Sequence, residues 1–261
     1  MRVYINTCLF KSGELSKIGE YIDRYGDSVG FEILSKFDEP TFGAELEGCV
    51  PLAARTRIRF HSPVWLAEPS AAKGTAAYEE TMRMNRLTAE YARRMGCESV
   101  TLHLNNCAVK DGCREEVLRN ALDNLVEFRE MYSFTRVFVE NAGTPFQRSA
   151  LLSQEAFTAL CRREGWDVLI DLGHANACGW NLYRLLDELG DQICAFHIHN
   201  NDGVRDLHAR IGDGTLDVPA FLRAAKRVVP AAAWILEYIS PDKEGLPLRE
   251  DFETLLRLRE E

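Results

Sequence analysis

The sequence predicts a single-domain α/β protein, a (β/α)8 TIM barrel spanning residues 1–261. Three observations predict it. The chain has 261 residues, close to the roughly 250 that such a barrel requires. Eight short β-branched or aromatic runs alternate with longer segments whose apolar residues recur near every 3.6 positions. No Pro-rich, Gly-rich or low-complexity linker divides the chain.

The eight predicted strands are Arg2–Asn6, Val29–Leu34, Ile58–His61, Ser99–Leu104, Arg136–Glu140, Val168–Leu172, Cys194–His199 and Trp234–Tyr238. Most are nearly continuous apolar runs, as strands of a parallel sheet buried on both faces must be. Helical spacing separates them. Met84, Leu87, Tyr91 and Met95 share one face before the stop at Gly96, and Leu118, Leu122 and Leu125 repeat in the next helix. The segment from Ser35 to Arg57, with Pro40, Gly43, Gly48 and Pro51, is expected to be a long loop with a short helix lining the site. A doubly wound open sheet is the rival architecture, but no Gly-rich phosphate loop follows the first strand.

Hydrophobic residues make up 46% of the chain and charged residues 27%, the composition of a soluble globular protein. The net charge of −9 gives no general reason to bind nucleic acid or an anionic membrane. The apolar run before Lys11 is too short for a signal peptide or a membrane span, so a cytoplasmic location is expected. None of the eight cysteines forms a CxxC pair. They are expected to be reduced, and a cysteine-based zinc site is not expected.

The strand ends carry the chemistry. Glu32, His61, His103, Glu140, Asp171, His199 and Glu237 close the second to eighth strands in turn. In a barrel these C-terminal ends converge on one mouth. All six histidines, at 61, 103, 174, 197, 199 and 208, fall at or just beyond predicted strand ends. So many carboxylates in one half-buried pocket would raise each other's pKa values unless a cation neutralised them. Glu140, Asp171, His199 and Glu237 form an oxygen-rich donor set for a divalent metal, with Mn, Mg, Co and Zn all suited. His197 shares a side with His199 but lies deeper in the strand. Asp171 and His174 are one helical turn apart, and Asp206 and His208 are two residues apart in a loop ending at Gly212-Asp213-Gly214, where the backbone is expected to approach a ligand closely. Arg205 and Arg210 are the candidates for holding a substrate phosphate. Phe37, Trp65, Trp180 and Tyr238 are read as an apolar wall or as core.

The motifs GFEIL, RFHSP, VFVEN, VLIDLGH, FHIHNND, RDLHARIGDG and ILEY resemble the xylose isomerase-like barrel superfamily along nearly the whole chain. That superfamily includes sugar and sugar-phosphate isomerases and epimerases and the family 2 AP endonucleases such as endonuclease IV. The resemblance implies that Glu140, Asp171, His199 and Glu237 bind one metal. His199 is preferred to His197 because His199-Asn-Asn-Asp202 fits the family's His-x-x-acid pattern. It also implies that Glu140 and Glu237 move a proton alpha to a carbonyl, through an enediolate of a sugar, sugar phosphate or polyol-derived keto compound, with His174 touching the substrate's oxygens.

The alternative is an endonuclease IV-like zinc phosphodiesterase acting on abasic DNA. Its nine-ligand pattern is matched in type by His61, His103, Glu140, Asp171, His174, His199, Asp206, His208 and Glu237. The short loop from His199 to Asp206 and the GFEIL strand favour the sugar enzymes. A non-catalytic sugar-binding barrel is a third reading, opposed by the complete acid set. The expected partner is a small sugar-like molecule. Homo-oligomerisation is left open by the sequence.

Overall fold

A computed structural model describes residues 3–239 and 246–261. Eight parallel strands close into one barrel in sequence order: β1 Val3–Asn6, β2 Val29–Leu34, β3 Arg57–His61, β4 Ser99–Leu102, β5 Arg136–Glu140, β6 Asp167–Asp171, β7 Ile193–Ile198 and β8 Ala233–Leu236. The α-helices are α1 Lys17–Tyr25, α2 Phe42–Cys49, α3 Ala76–Arg94, α4 Arg114–Met131, α5 Gln154–Glu164, α6 Leu172–Ala177, α7 Leu182–Leu189, α8 Val218–Val228 and α9 Leu246–Glu260. All eight predicted strands are present. Arg2 lies outside the described residues. Three strands that lead into candidate ligands stop short of expectation, because β4, β7 and β8 lose their ladder partners at Leu102, Ile198 and Leu236. His103, His199 and Glu237 therefore sit just above the barrel rim rather than in it.

Strand residues alternate between the helices and the lumen. On β2, Phe31 joins the outer core, whereas Glu32 reaches inward to Asn6 and His197. Gly30 leaves room for a neighbour: a Cβ there would lie 2.5 Å from the Tyr4 ring. Tyr4, Phe138, Leu169, Ala195, Ala233 and Ile235 form a separate apolar plug. One inward step further along, the same strands present Asn6, Glu140, Asp171, His197 and Glu237. The site thus rests on a packed floor, and the period-two pattern that builds the floor also aims the ligands.

Outside the barrel, Phe196 is fully buried and packs edge-on against Phe221 of α8, with ring centroids 5.6 Å apart. Phe196→Ala is expected to cost about 3–5 kcal/mol, read as a lower denaturant midpoint with an unchanged slope.

The segment after β2 holds the short helix α2 and a 3-10 turn over Val50–Ala54. It does not line the site as expected. Phe37 instead packs on Phe42, 5.0 Å between centroids, and on Tyr91 of α3. All eight cysteines are free thiols. Among the described residues, no helix is long and apolar enough to cross a membrane.

Candidate active site and metal centre

Glu140, the last residue of β5, is the hub. Its Oε2 lies 3.3 Å from His61 Nε2, 3.2 Å from His103 Nε2 and 3.3 Å from His197 Nδ1. Its Oε1 lies 3.1 Å from His174 Nδ1. Burial pushes the Glu140 carboxyl up, but the His103 and His197 imidazoles outweigh burial and hold it well below the usual range. Glu237, just past β8, has the opposite outcome. Burial raises it, and the neighbouring carboxylates of Asp171, Glu140 and Glu32 add to that against the pull of His197, leaving it well above the usual range. The two glutamates therefore sit in one floor, 3.3 and 3.2 Å from the same nitrogen, His197 Nδ1, and their surroundings shift them in opposite directions.

The sequence Asp171-Leu172-Gly173-His174 builds the next corner. Asp171 caps α6, its carboxylate accepting the His174 backbone N–H at 2.6 Å. It also meets His199 Nε2 at 2.9 and 3.0 Å. His174 thus lies in the first turn of a short helix that starts where the strand stops. His199 is held between two flat surfaces. The backbone of Gly173 lies on one side, and the His208 ring stacks on the other with centroids 3.8 Å apart and planes 8° from parallel. His208 adopts φ +43°, a region non-glycine residues rarely occupy. Such strain persists only where the surroundings impose it, and it clusters at functional sites.

The loop after β7 supplies Asp206, 3.3 Å from His174 Nε2 and 3.2 Å from His208 Nε2. Burial opposes ionisation of Asp206, but the His174 and His208 contacts hold its carboxyl far below the usual range. A buried strut fastens this loop. Asp251 of α9 accepts from the Tyr238 hydroxyl and from Arg210 Nε and Nη2 at 3.0 Å each. The close approach at Gly214 is to this chain and not to a ligand, because a Cβ there would lie 2.3 Å from Asn200 Oδ1.

A layer beneath the hub carries residues the strand-end pattern left unassigned. Asn6, the end of β1, donates from Nδ2 to Glu32 at 2.8 Å and to Glu237 at 3.0 Å. Thr101 of β4 donates to Glu32 at 2.8 Å. Glu32 is fully buried, and its other partner is His197 Nε2 at 2.6 Å. A signal for Asn6 exists in the sequence: β1 is the one strand without an assigned polar end, and Asn6 is its last residue.

The candidate ligands fit a divalent cation. His103 Nε2, His174 Nδ1, His197 Nδ1 and Asp206 Oδ1 are buried without a hydrogen-bond partner. Among the described residues the donor atoms form overlapping triples, each within 4.8 Å: Asp171–His197–Glu237, Glu140–Asp171–His174, His61–Glu140–His197, His199–His208–Glu237 and His174–Asp206–His208. Glu140, Asp171, His199 and Glu237 share this mouth but are spread over several of the triples.

Above the ligands opens a cavity of about 270 Å³. Trp65 and Ile239 form part of its wall, and Asn105, Gln147 and Ser149 offer polar groups. Of the four aromatic candidates only Trp65 lines it. Trp180 packs on Phe157, and Tyr238 is buried with its hydroxyl on Asp251. Neither arginine candidate reaches it. Arg205 pairs with Asp202 at 2.8 Å, and Arg210 is committed to Asp251 and Glu250.

A family model described as a xylose isomerase-like TIM barrel matches residues 27–258. Solved structures share the fold at low identity. A D-tagatose 3-epimerase-like protein is 19% identical with a TM-score of 0.80, covering 100% of this chain and 97% of its own. The zinc-bound IOLI protein is 17% identical with a TM-score of 0.79, covering 99% and 96%. Endonuclease IV from Thermus thermophilus is 16% identical with a TM-score of 0.68, covering 98% of each chain. No curated protein sequence matches the chain.

Proposed function

Because the chain belongs to the xylose isomerase-like TIM-barrel family, we propose that it is a divalent-metal-dependent isomerase or epimerase. Its substrate is a sugar, sugar phosphate or related keto compound, and the reaction moves a proton alpha to a carbonyl. The observation that carries this reading is the pair Glu140 and Glu237. Their carboxyl groups flank one imidazole nitrogen, His197 Nδ1, at 3.3 and 3.2 Å at the mouth of the barrel. An ionised carboxylate beneath the cavity can take a proton from carbon, and a protonated one can return it. Asn6 fixes Glu237 Oε1 at 3.0 Å, so the returning group has a set direction. We read Glu140, Asp171, His199 and Glu237 as the residues that would hold the family's metal, which would supply positive charge to polarise a substrate carbonyl.

One observation favours a second reading, a zinc phosphodiesterase acting on abasic DNA. The His61–His103–Glu140 and His174–Asp206–His208 clusters flank Asp171, His199 and Glu237, giving nine donors in all. One experiment separates the two. The metal-loaded protein is incubated in deuterated water with a panel of ketoses and aldoses, and separately with an oligonucleotide carrying an abasic site. Deuterium appearing alpha to the carbonyl, without nicking, is expected. Nicking with no exchange, on a protein holding three zinc ions per chain, would establish the second reading instead.

A further inference from the structure

The end of the barrel opposite the cavity gathers guanidinium groups. Strands β3 and β5 start there with Arg57 and Arg136, and α9 brings Arg259 to the same end in its last turn. Arg59 lies under the apolar plug, its guanidinium carbon 4.6 Å from the centre of the Tyr4 ring and 5.6 Å from that of Phe138. Arg136 lies 5.3 Å from the same Phe138 ring. Arg259 stacks on Trp234 of β8 at 4.7 Å, and β8 pairs with β1, where Ile235 stands beside Tyr4. Two carboxylates answer these four cations. Glu98 takes the Tyr4 hydroxyl at 2.7 Å, Arg59 Nη2 at 3.4 Å and Arg57 Nη1 at 3.5 Å, and Asp167 takes Arg136 Nε at 2.9 Å. Among the described residues, no carboxylate pairs with Arg259. It is 7% exposed, and its Nε and Nη1 are buried with no hydrogen-bond partner, as is Arg59 Nε.

We propose that this end of the barrel binds a small doubly charged oxyanion, inorganic phosphate or a simple phosphate monoester, held by the buried guanidinium groups of Arg259 and Arg59. A guanidinium stays charged in a protein, and its planar fork of donors matches a phosphate. Taking such a charge out of water without a partner is costly, and a ring face offsets only part of that cost. Burial lowers the Arg259 pKa and the Arg59 charge lowers it further, so the two cations act on each other. Four guanidiniums against two carboxylates leave two positive charges, which a dianion neutralises. The side chains of Arg57 and Arg136 are more than half exposed, at 60% and 57%, and draw an anion in from solvent. Arg59, at 13%, and Arg259 lie deeper, where only a small anion can follow. The site stands at the far end of the barrel from the proposed catalytic cavity and owes nothing to the reaction class.

The test is a titration of the whole, phosphate-free protein with inorganic phosphate and, separately, with methyl phosphate. Ionic strength is held constant with sodium chloride, and both heat of binding and melting temperature are read for the wild type and for Arg259→Met. The wild type is expected to melt roughly 3–6 °C higher at about ten times the Kd of the anion. Arg259→Met keeps the bulk of the side chain and removes its charge. It is expected to bind phosphate at least tenfold more weakly and to lose the rise in melting temperature. Without phosphate it is expected to melt no lower than the wild type, because the buried unpaired charge is gone. Either order of affinity for the two anions supports the site: tighter phosphate assigns the free anion, and tighter methyl phosphate assigns a monoester. A wild type that responds to neither, or that responds equally to matched chloride, overturns the proposal, as does an undiminished response in Arg259→Met. Should the variant fail to fold, the wild type alone decides. Its Arg259 and Arg59 Nε–H resonances must shift on adding phosphate, and unmoved resonances overturn the assignment.

Discussion

Glu140→Gln is expected to abolish both divalent-metal binding and turnover while leaving the barrel folded. The side chain keeps its shape, so the packing of β5 is retained. Its chemistry is inverted. One carboxylate oxygen becomes an NH2 group facing the ring nitrogens of His61, His103 and His197 or that of His174, and the negative charge at the hub is lost. Removing a group that transfers a proton costs typically 10²–10⁴-fold in rate, and loss of the hub ligand acts on top of that. Glu237→Gln separates the two roles. Glu237 meets one imidazole, His197, and the Asn6 amide where Glu140 meets four imidazoles, so its variant is expected to lose proton exchange into substrate with a smaller loss of metal. Metal per chain by elemental analysis, deuterium exchange by NMR and the far-UV circular dichroism spectrum read the three quantities independently. Wild-type exchange in either variant would remove the glutamate pair from the chemistry.

How much of this site is legible in the sequence depends on how far apart its determinants lie. The strands are legible because burial on both faces leaves almost no polar residue in Val29–Leu34 or Ile193–Ile198 until an inward functional side chain interrupts the run. Glu140, Asp171, His199 and Glu237 are legible because each falls where such a run stops. Asn6 is hidden by its second role: its Oδ1 accepts the Cys8 N–H at 2.8 Å and caps a short turn, so it reads as ordinary strand-end chemistry. Trp180 and Tyr238 have the composition of a cavity wall, but whether an aromatic after a strand faces a cavity or a helix is set by neighbours distant in sequence, here Phe157 and Asp251. Arg210 is the same case, since its partners lie 40 and 41 residues away. Arg205 differs: Asp202 is three residues before it, and the Asp202 carboxylate also accepts the Val204 and Arg205 N–H groups. That turn is readable as a self-contained unit.

Gly173→Ala is the second large effect, and it tests the least legible of these determinants. Nothing local demands glycine at this position: it lies inside α6 and is not among the glycines with positive φ. The demand comes from His199, just past the end of the neighbouring strand β7. A Cβ on residue 173 would lie 2.0 Å from His199 Cε1 and 2.4 Å from Nδ1. The imidazole cannot retreat, because His208 is stacked behind it at 3.8 Å and is itself held in a left-handed conformation. It cannot tilt without lengthening its 2.9 and 3.0 Å contacts to Asp171. The added methyl must therefore displace α6, and with it the Asp171 cap and His174, or else displace His199 from its place beside Asp171. Overpacking of this kind costs about 1–3 kcal/mol, or roughly 2–12 °C in melting temperature for a chain of this size. The expected signature is a lower melting temperature together with at least a tenfold loss of metal affinity. Gly19→Ala is the control. Gly19 lies in α1 with nothing within 4 Å of an added Cβ, so alanine there is expected to be neutral or to stabilise by up to about 1 kcal/mol. If Gly173→Ala behaves like Gly19→Ala in both stability and metal binding, then His199 is free to move, and the fixed imidazole on which the ligand set depends is not fixed by this contact.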